Sequence, residues 1–273
     1  MAWMALALGL ATIPLAAAGT PLEAFRGATG TIDIAGGTAH IPVMNEAAKQ
    51  IMTAYPKVRI TVAGGGSGVG VEKVAAGLVA IGNTGRPLSK QEAERHGLIS
   101  FPFAIDGVAV IIHPKNPVSD LSAEQIRKIF AGQTTNWKAV GGQDAPINLY
   151  TRDEASGTRA VLWKKLLKKG LIAEHADVVT SNGAMKVAAA QDPNAIGYAG
   201  IGHIDSTVKA PLLDGIAPTQ ENAAAGHYPI VRKLYMNTKG EPSPLVRAFI
   251  DYILGPAGAK IIKSKGYIPL VAG

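Results

Sequence analysis

From Thr31 onward, short apolar runs closed by glycine alternate with stretches of helical periodicity, and few folds accommodate that order. Residues 31–34 have the β-branched character of a strand. After Gly36-Gly37-Thr38, a helical face gathers Ile41, Met44, Ala48, Ile51 and Met52. Residues 58–62 read as a second strand, the glycine-rich 64–70 as a turn, 69–78 as a short helix, and 80–82 as the start of a third strand. Strand, glycine-rich loop and helix in repetition predict an α/β sheet with ligands at the strand ends.

The rest of the chain keeps the pattern. Residues 108–113 form a β-branched run that Pro114 ends, and a helix runs from Leu121-Ser122 to Phe130 with Ser122 and Gln125 at capping-box spacing. Further strands are expected over 147–150, 195–198 and 228–236, and helices over 156–169, 184–191, 244–254 and 256–265. No internal repeat appears. A length of 273 residues exceeds what one core usually serves, which points to two lobes.

Composition removes several functions. The net charge of +7 suits solubility or a small anion, but with 5% aromatic residues and no aromatic-interleaved basic stripe it does not suit nucleic acid. Lys164, Lys165, Lys168 and Lys169 fall at helical spacing beside Leu162, Leu166 and Leu167, as a solvated helix face would. The absence of cysteine excludes disulfides, thiolate catalysis, Cys-ligated metals and a lipid-attachment cysteine. Six scattered histidines lack ligand spacing, so no metal site is expected.

The chain opens on an apolar run ending in Ala16-Ala17-Ala18, an export leader by its small-residue end, although no Lys or Arg precedes it. Its length is short for a membrane span.

Enzyme signatures are also missing. Gly64-Gly65-Gly66-Ser67-Gly68-Val69-Gly70 has no G-K-[ST], and Val69 stands where a nucleophile elbow needs its last glycine. A secreted phosphatase using Ser67 or Ser156 would need a base or metal beside the hydroxyl, and the sequence offers neither. What recurs is a small or hydroxylated residue beside glycine where a helix should begin: Gly37-Thr38-Ala39, Gly66-Ser67-Gly68 and Ser156-Gly157-Thr158. One such site is usually only an N-cap. Three at strand ends form a set of anion seats, because helix starts carry free N–H groups and partial positive charge. Arg152, four residues before Ser156, adds a guanidinium fork that matches two oxygens of a tetrahedral anion.

The segment Arg152-Asp153-Glu154-Ala155-Ser156-Gly157-Thr158 resembles the R-x-x-x-S-G-T motif of phosphate-binding proteins of the Pst transporter, type II periplasmic binding proteins. Gly36–Ala39 and Gly66–Gly70 are similar to that family's first two ligand loops. Phe130-Ala131-Gly132 with Asn136-Trp137, and Ala195-Ile196-Gly197-Tyr198, resemble two further family stretches. The resemblance covers nearly all of the chain after the leader. It implies a two-lobed clamshell, each lobe a mixed sheet flanked by helices, joined by two crossover strands. The implied division is a leader over 1–26, lobe 1 over 27–107 plus 231–273, and lobe 2 over 108–230. Crossings are placed near 105–110 and 228–231.

The resemblance also implies a site. Thr38, the amide of Ala39 and Ser67 would bind phosphate from one lobe, and Arg152, Ser156, Gly157 and Thr158 from the other. Gly85 stands where many relatives carry an aspartate that accepts the proton of hydrogen phosphate. Arg86, next to it, becomes a candidate second charge, and Asp106 a candidate proton acceptor. The implied role is an exported, monomeric, non-enzymatic binder of inorganic phosphate. It would act outside the cytoplasmic membrane, in the periplasm or on the outer face, and deliver to permease subunits of an ABC transporter without a cofactor. Without that aspartate, another tetrahedral oxyanion such as sulfate or molybdate is the alternative ligand.

Overall fold

The computed structural model describes residues 21–270. The leader assigned to 1–26 therefore lies mostly outside the described residues. Within its last part, Pro21–Phe25 form a 3-10 turn, and Phe25 is fully buried against the rings of Tyr55 and Tyr252.

Eleven strands occur among the described residues: β1 (Gly30–Gly36), β2 (Val58–Gly65), β3 (Ile81–Thr84), β4 (Leu98–Ile112), β5 (Asp120–Leu121), β6 (Asn148–Arg152), β7 (Asp177–Val179), β8 (Ala195–Gly200), β9 (Leu212–Leu213), β10 (Val231–Lys239) and β11 (Ile268–Pro269). The helices are α1 (Ile41–Ala54), α2 (Gly66–Ala75), α3 (Lys90–His96), α4 (Ala123–Phe130), α5 (Gly157–Lys165), α6 (Asn182–Gln191), α7 (Gln220–Ala224), α8 (Pro244–Leu254) and α9 (Pro256–Ser264).

One mixed sheet runs in the order β2-β1-β3-β10-β4-β8-β6-β7, with β11 added on β4. Strand β4 makes it continuous. Its first part, Leu98 to Gly107, pairs antiparallel with β10, and Val108 to Ile112 pair with β8. Two apolar cores flank that transition. One gathers Ile32, Ile34, Met44, Ile51, Phe103, Leu234 and Phe249, and the other Ile111, Phe130, Trp137, Leu162, Met185 and Tyr198. The molecule is a two-lobed α/β clamshell. Strand β4 contributes Phe103 and Ala104 to one core and Val108, Val110, Ile111 and Ile112 to the other, and Val108 N donates to Ile230 O at 2.7 Å.

Local chemistry explains most elements. Helix α1 buries Val43, Met44, Ala47, Ala48 and Ile51 on one stripe. Ser122 accepts from Gln125 N and the Gln125 side chain returns to Ser122 N, so the predicted capping box forms. Strand β8 is buried at every position because it lies between β4 and β6 with helices on its faces.

Three expectations change. Strand β4 begins ten residues before the predicted 108, because the alternation from Leu98 is masked by partly exposed positions. Helix α5 ends at Lys165 rather than 169: Leu166 and Leu167 turn into the core, and Lys168 and Lys169 take left-handed φ values of 52° and 62°. Helix α2 starts at Gly66, three residues earlier than predicted, so Ser67 lies in its first turn.

Candidate functional site

Strand ends and helix starts of both lobes meet at one seam. Thr38 and Ala39 follow β1 in a 3-10 turn, Thr38–His40. Ser67 opens α2, Gly85 follows β3, Arg152 ends β6, and Ser156 caps α5 with Gly157 and Thr158 in its first turn. These residues and Arg232 of β10, with Gly37, His40 and Gly66, line one small cavity. Its volume is about 10 Å³, measured as room for the centre of a water. Adding the water's own radius gives a sphere of roughly 2.7 Å radius, the size of one small tetrahedral oxyanion.

Glycine lets the lobes approach this closely. Gly68 N donates to Ala155 O at 2.9 Å across the seam. A side chain at Gly66 (φ +90°) would stand 2.7 Å from that same carbonyl, and one at Gly157 would overlap the Ser67 hydroxyl. The glycine-rich 64–70 is thus the close-packed edge of lobe 1.

Four hydroxyls on the wall have their acceptor side occupied. Thr38 Oγ1 accepts from Asn182 N at 3.2 Å and Asn182 Nδ2 at 2.9 Å. Ser67 Oγ accepts from Gly85 N (2.9 Å), Ser156 Oγ from Arg159 N (3.2 Å), and Thr158 Oγ1 from Arg232 Nη1 (2.9 Å). Each keeps one O–H to donate. None of these bonds runs to a histidine or a carboxylate.

Arg152 supplies charge. It is 2% exposed, its Nη2 donates to Thr180 O at 2.9 Å, and its main-chain N donates to the Tyr198 hydroxyl at 3.0 Å. Nε and Nη1 are buried without a protein acceptor. Burial pushes this guanidinium below the usual arginine value, with Tyr198 and Asp153 opposing. A buried cation with two free donors is costly unless an anion meets it.

The second charge is not the predicted one. Arg86 does not line the cavity. Its guanidinium is bound bidentately to Glu92 at 2.8 and 2.7 Å, and this hydrogen bonding, against partial burial, lowers the Glu92 carboxyl to about 2. Arg232 is on the wall instead. Asp106, its register partner on β4, accepts from Arg232 Nε (3.0 Å) and Nη2 (2.7 Å), both side chains being almost fully buried. Burial pushes the Asp106 carboxyl up, against the pull of Arg232. Asp106 itself is not part of the cavity wall, so its place is behind Arg232 rather than at a ligand's proton.

Gly85 connects the two observations. A side chain there would come within 2.8 Å of Arg232 Nη1, so the glycine leaves the space that the guanidinium fills. His40, also on the wall, is fully buried. Desolvation, then Arg232, lowers it to about 3, so it is neutral, with Nδ1 at 3.0 Å from Gly37 O.

Thr38, Ala39, Ser67, Arg152, Ser156, Gly157 and Thr158 are thus brought to one cavity, and Arg86 and Asp106 are not. Sequence reasoning missed Arg232 and Asn182. The signal for Arg232 was present: it shares the two-residue period of Leu234 and Met236, both fully buried, so it had to point inward. Asn182 gave no comparable signal. Among the described residues, no group of His, Cys, Asp or Glu could hold a metal.

Two α/β lobes closing on a donor-lined cavity define a solute-binding protein of the clamshell class. A family model described as the PBP superfamily domain matches residues 23–257. The phosphate-binding protein PstS of Bacillus subtilis is 36% identical over 246 residues, 89% of this chain and 82% of that one. A substrate-binding protein from Clostridium perfringens, crystallised with bound phosphate, superposes with a TM-score of 0.83 at 32% identity, covering 88% of this chain and 100% of that one. An ABC-type phosphate transport receptor from Vibrio cholerae gives a TM-score of 0.70, also at 32% identity, over 87% and 99% of the two chains. The chain belongs to the PBP superfamily and, within it, to the family of PstS phosphate-binding proteins.

Proposed function

We propose that this protein captures inorganic phosphate in the seam cavity and delivers it to the permease subunits of an ABC transporter. The observation that carries this reading is Arg152, whose buried Nε and Nη1 lack an acceptor on a wall whose hydroxyls are all set as donors. Thr38, Ser67, Ser156 and Thr158 would donate hydroxyl bonds, and the Ala39 and Gly157 amides would add N–H donors. Arg152 would form the main ion pair, and Arg232, half neutralised by Asp106, a second. Replacing the hydration shell of a dianion requires many donors at once, and closure of the two lobes assembles them.

The reading includes lobes dividing between 107 and 108 and between 230 and 231, action as an exported monomer, and no catalysis. The relatives are named as binding proteins rather than enzymes. Titration calorimetry with phosphate, with sulfate and molybdate as controls, tests it. Micromolar or tighter phosphate binding is expected. Equal affinity for sulfate would overturn phosphate specificity, and no heat with any oxyanion would overturn the function. Hydrolysis of p-nitrophenyl phosphate would contradict the non-enzymatic reading.

A further inference from the structure

The start of α6 stands outside the cavity wall, yet it contacts ligand groups of both lobes. Thr180 O accepts from Arg152 Nη2. Two residues on, Asn182 reaches across the seam to Thr38, donating from both its main-chain N and its side-chain Nδ2. Asn182 is fully buried, and its remaining contacts stay in its own lobe. Oδ1 accepts from Gly200 N at 3.1 Å, and Nδ2 also lies 3.4 Å from Thr158 Oγ1.

The Gly200 contact decides which way the amide faces. A main-chain N–H can only donate, so Oδ1 must point to Gly200 and Nδ2 to Thr38. The opposite orientation would set donor against donor at Gly200 and leave the N–H unpaired. Both lone pairs of the Thr38 hydroxyl are then occupied by Asn182, and the hydroxyl's own proton has no direction left but away from Asn182. Thr38 is on the cavity wall and Asn182 is not.

We propose that Asn182 is a positioning residue for anion binding: it fixes the Thr38 hydroxyl as a donor and, in the same two bonds, latches the closed lobes. The inference rests on the cavity being the phosphate site. It distinguishes Thr38 from the two serines of the wall. Ser67 and Ser156 are polarised by N–H groups of their own lobe, so they are preset in the open form. Thr38 is polarised across the seam, so its donor role is completed only on closure. Ligand grip and lobe closure are thereby coupled at one side chain.

A double-mutant cycle on the full protein tests this, read as phosphate Kd by calorimetry. Asn182→Ala alone is expected to weaken binding about thirtyfold, mainly through faster dissociation, with Thr38→Val costing a similar factor. The double variant should be no more than about twofold weaker than Thr38→Val, because the asparagine acts through that hydroxyl. Losses that multiply would overturn the proposal, since a residue that only supports the fold has no reason to depend on Thr38.

Asn182→Asp keeps the size of the side chain and puts an acceptor where Nδ2 was. It guards against an alanine variant that fails to fold, and should weaken binding by at least about a hundredfold. Wild-type affinity in this variant would overturn the proposal. A wild type that binds no phosphate would overturn the reading of the cavity as well. Phosphate-binding wild type with multiplicative losses would overturn only the role of Asn182.

Discussion

The two walls of the cavity solve the same problem with different means. The wall of lobe 2 carries Arg152 and a capped helix start, all from one continuous stretch, residues 152–158. The wall of lobe 1 is assembled from separate loops after β1, β2 and β3, and its one charged side chain, Arg232, stands at the edge of the lobe and is paired with Asp106. Its loops offer hydroxyls, amides and the neutral His40. Arg232, at the crossover, gives its charge between them. The difference teaches that one wall comes from a single local stretch of chain, while the other is gathered from segments far apart in sequence.

The largest expected effect tests the charged wall. Arg152→Ala should weaken phosphate binding by about a thousandfold or more, roughly 4 kcal/mol by calorimetry, as removal of a desolvated charge partner does. A loss below tenfold would mean that the two walls are equivalent. Next comes the residue between them. Arg232→Met leaves Asp106 buried and unpaired, so chemical denaturation should show a stability loss of about 3–5 kcal/mol. Replacing Asp106 by Leu in the same variant should restore most of it.

His40 on that wall predicts a pH dependence. His40 drops from 6.5 to about 3 on folding because burial disfavours its charge. The unfolded chain therefore binds a proton that the folded chain refuses, so stability rises with pH across that window. Stability should be full above about pH 6.5 and decline by a few kcal/mol as pH falls toward 3. His40→Gln, followed by thermal melts against pH, should flatten that slope.

Two smaller effects sharpen the comparison further. Gly157→Ala puts a methyl group against Ser67 across the seam, which should oppose closure and weaken binding about tenfold to a hundredfold. Scattering measurements should then show a more open form with phosphate present. Arg86→Ala should leave phosphate affinity within about twofold and lower stability by less than about 1 kcal/mol, because its partner is the part-exposed Glu92. A large affinity loss there would return Arg86 to the site.

How much of this was legible follows from the range of the interactions. The 152–158 wall was readable because its strand end, arginine and helix cap are local in sequence. So were Thr38 and Ser67, each beside glycine at a helix start. The choice between Arg86 and Arg232 was not local. Arg86 lies next to the informative Gly85, but its guanidinium turns to Glu92 six residues on. Arg232, more than a hundred residues away, fills the space that Gly85 leaves open. Asp106 was noticed as a carboxylate near the crossing, and its task depended on a strand partner the sequence did not name.

By itself the sequence determined the α/β alternation, the donor chemistry of each loop and the arginine placed just ahead of a capped helix start. These depend on periodicity, capping and side-chain type, which act over a few residues. Tertiary structure alone decided which second arginine enters the cavity, that Asp106 serves it, and that Asn182 turns the Thr38 hydroxyl across the seam. Those choices were settled by which buried donors and acceptors find partners after the lobes pack, and burial is a property of the folded whole.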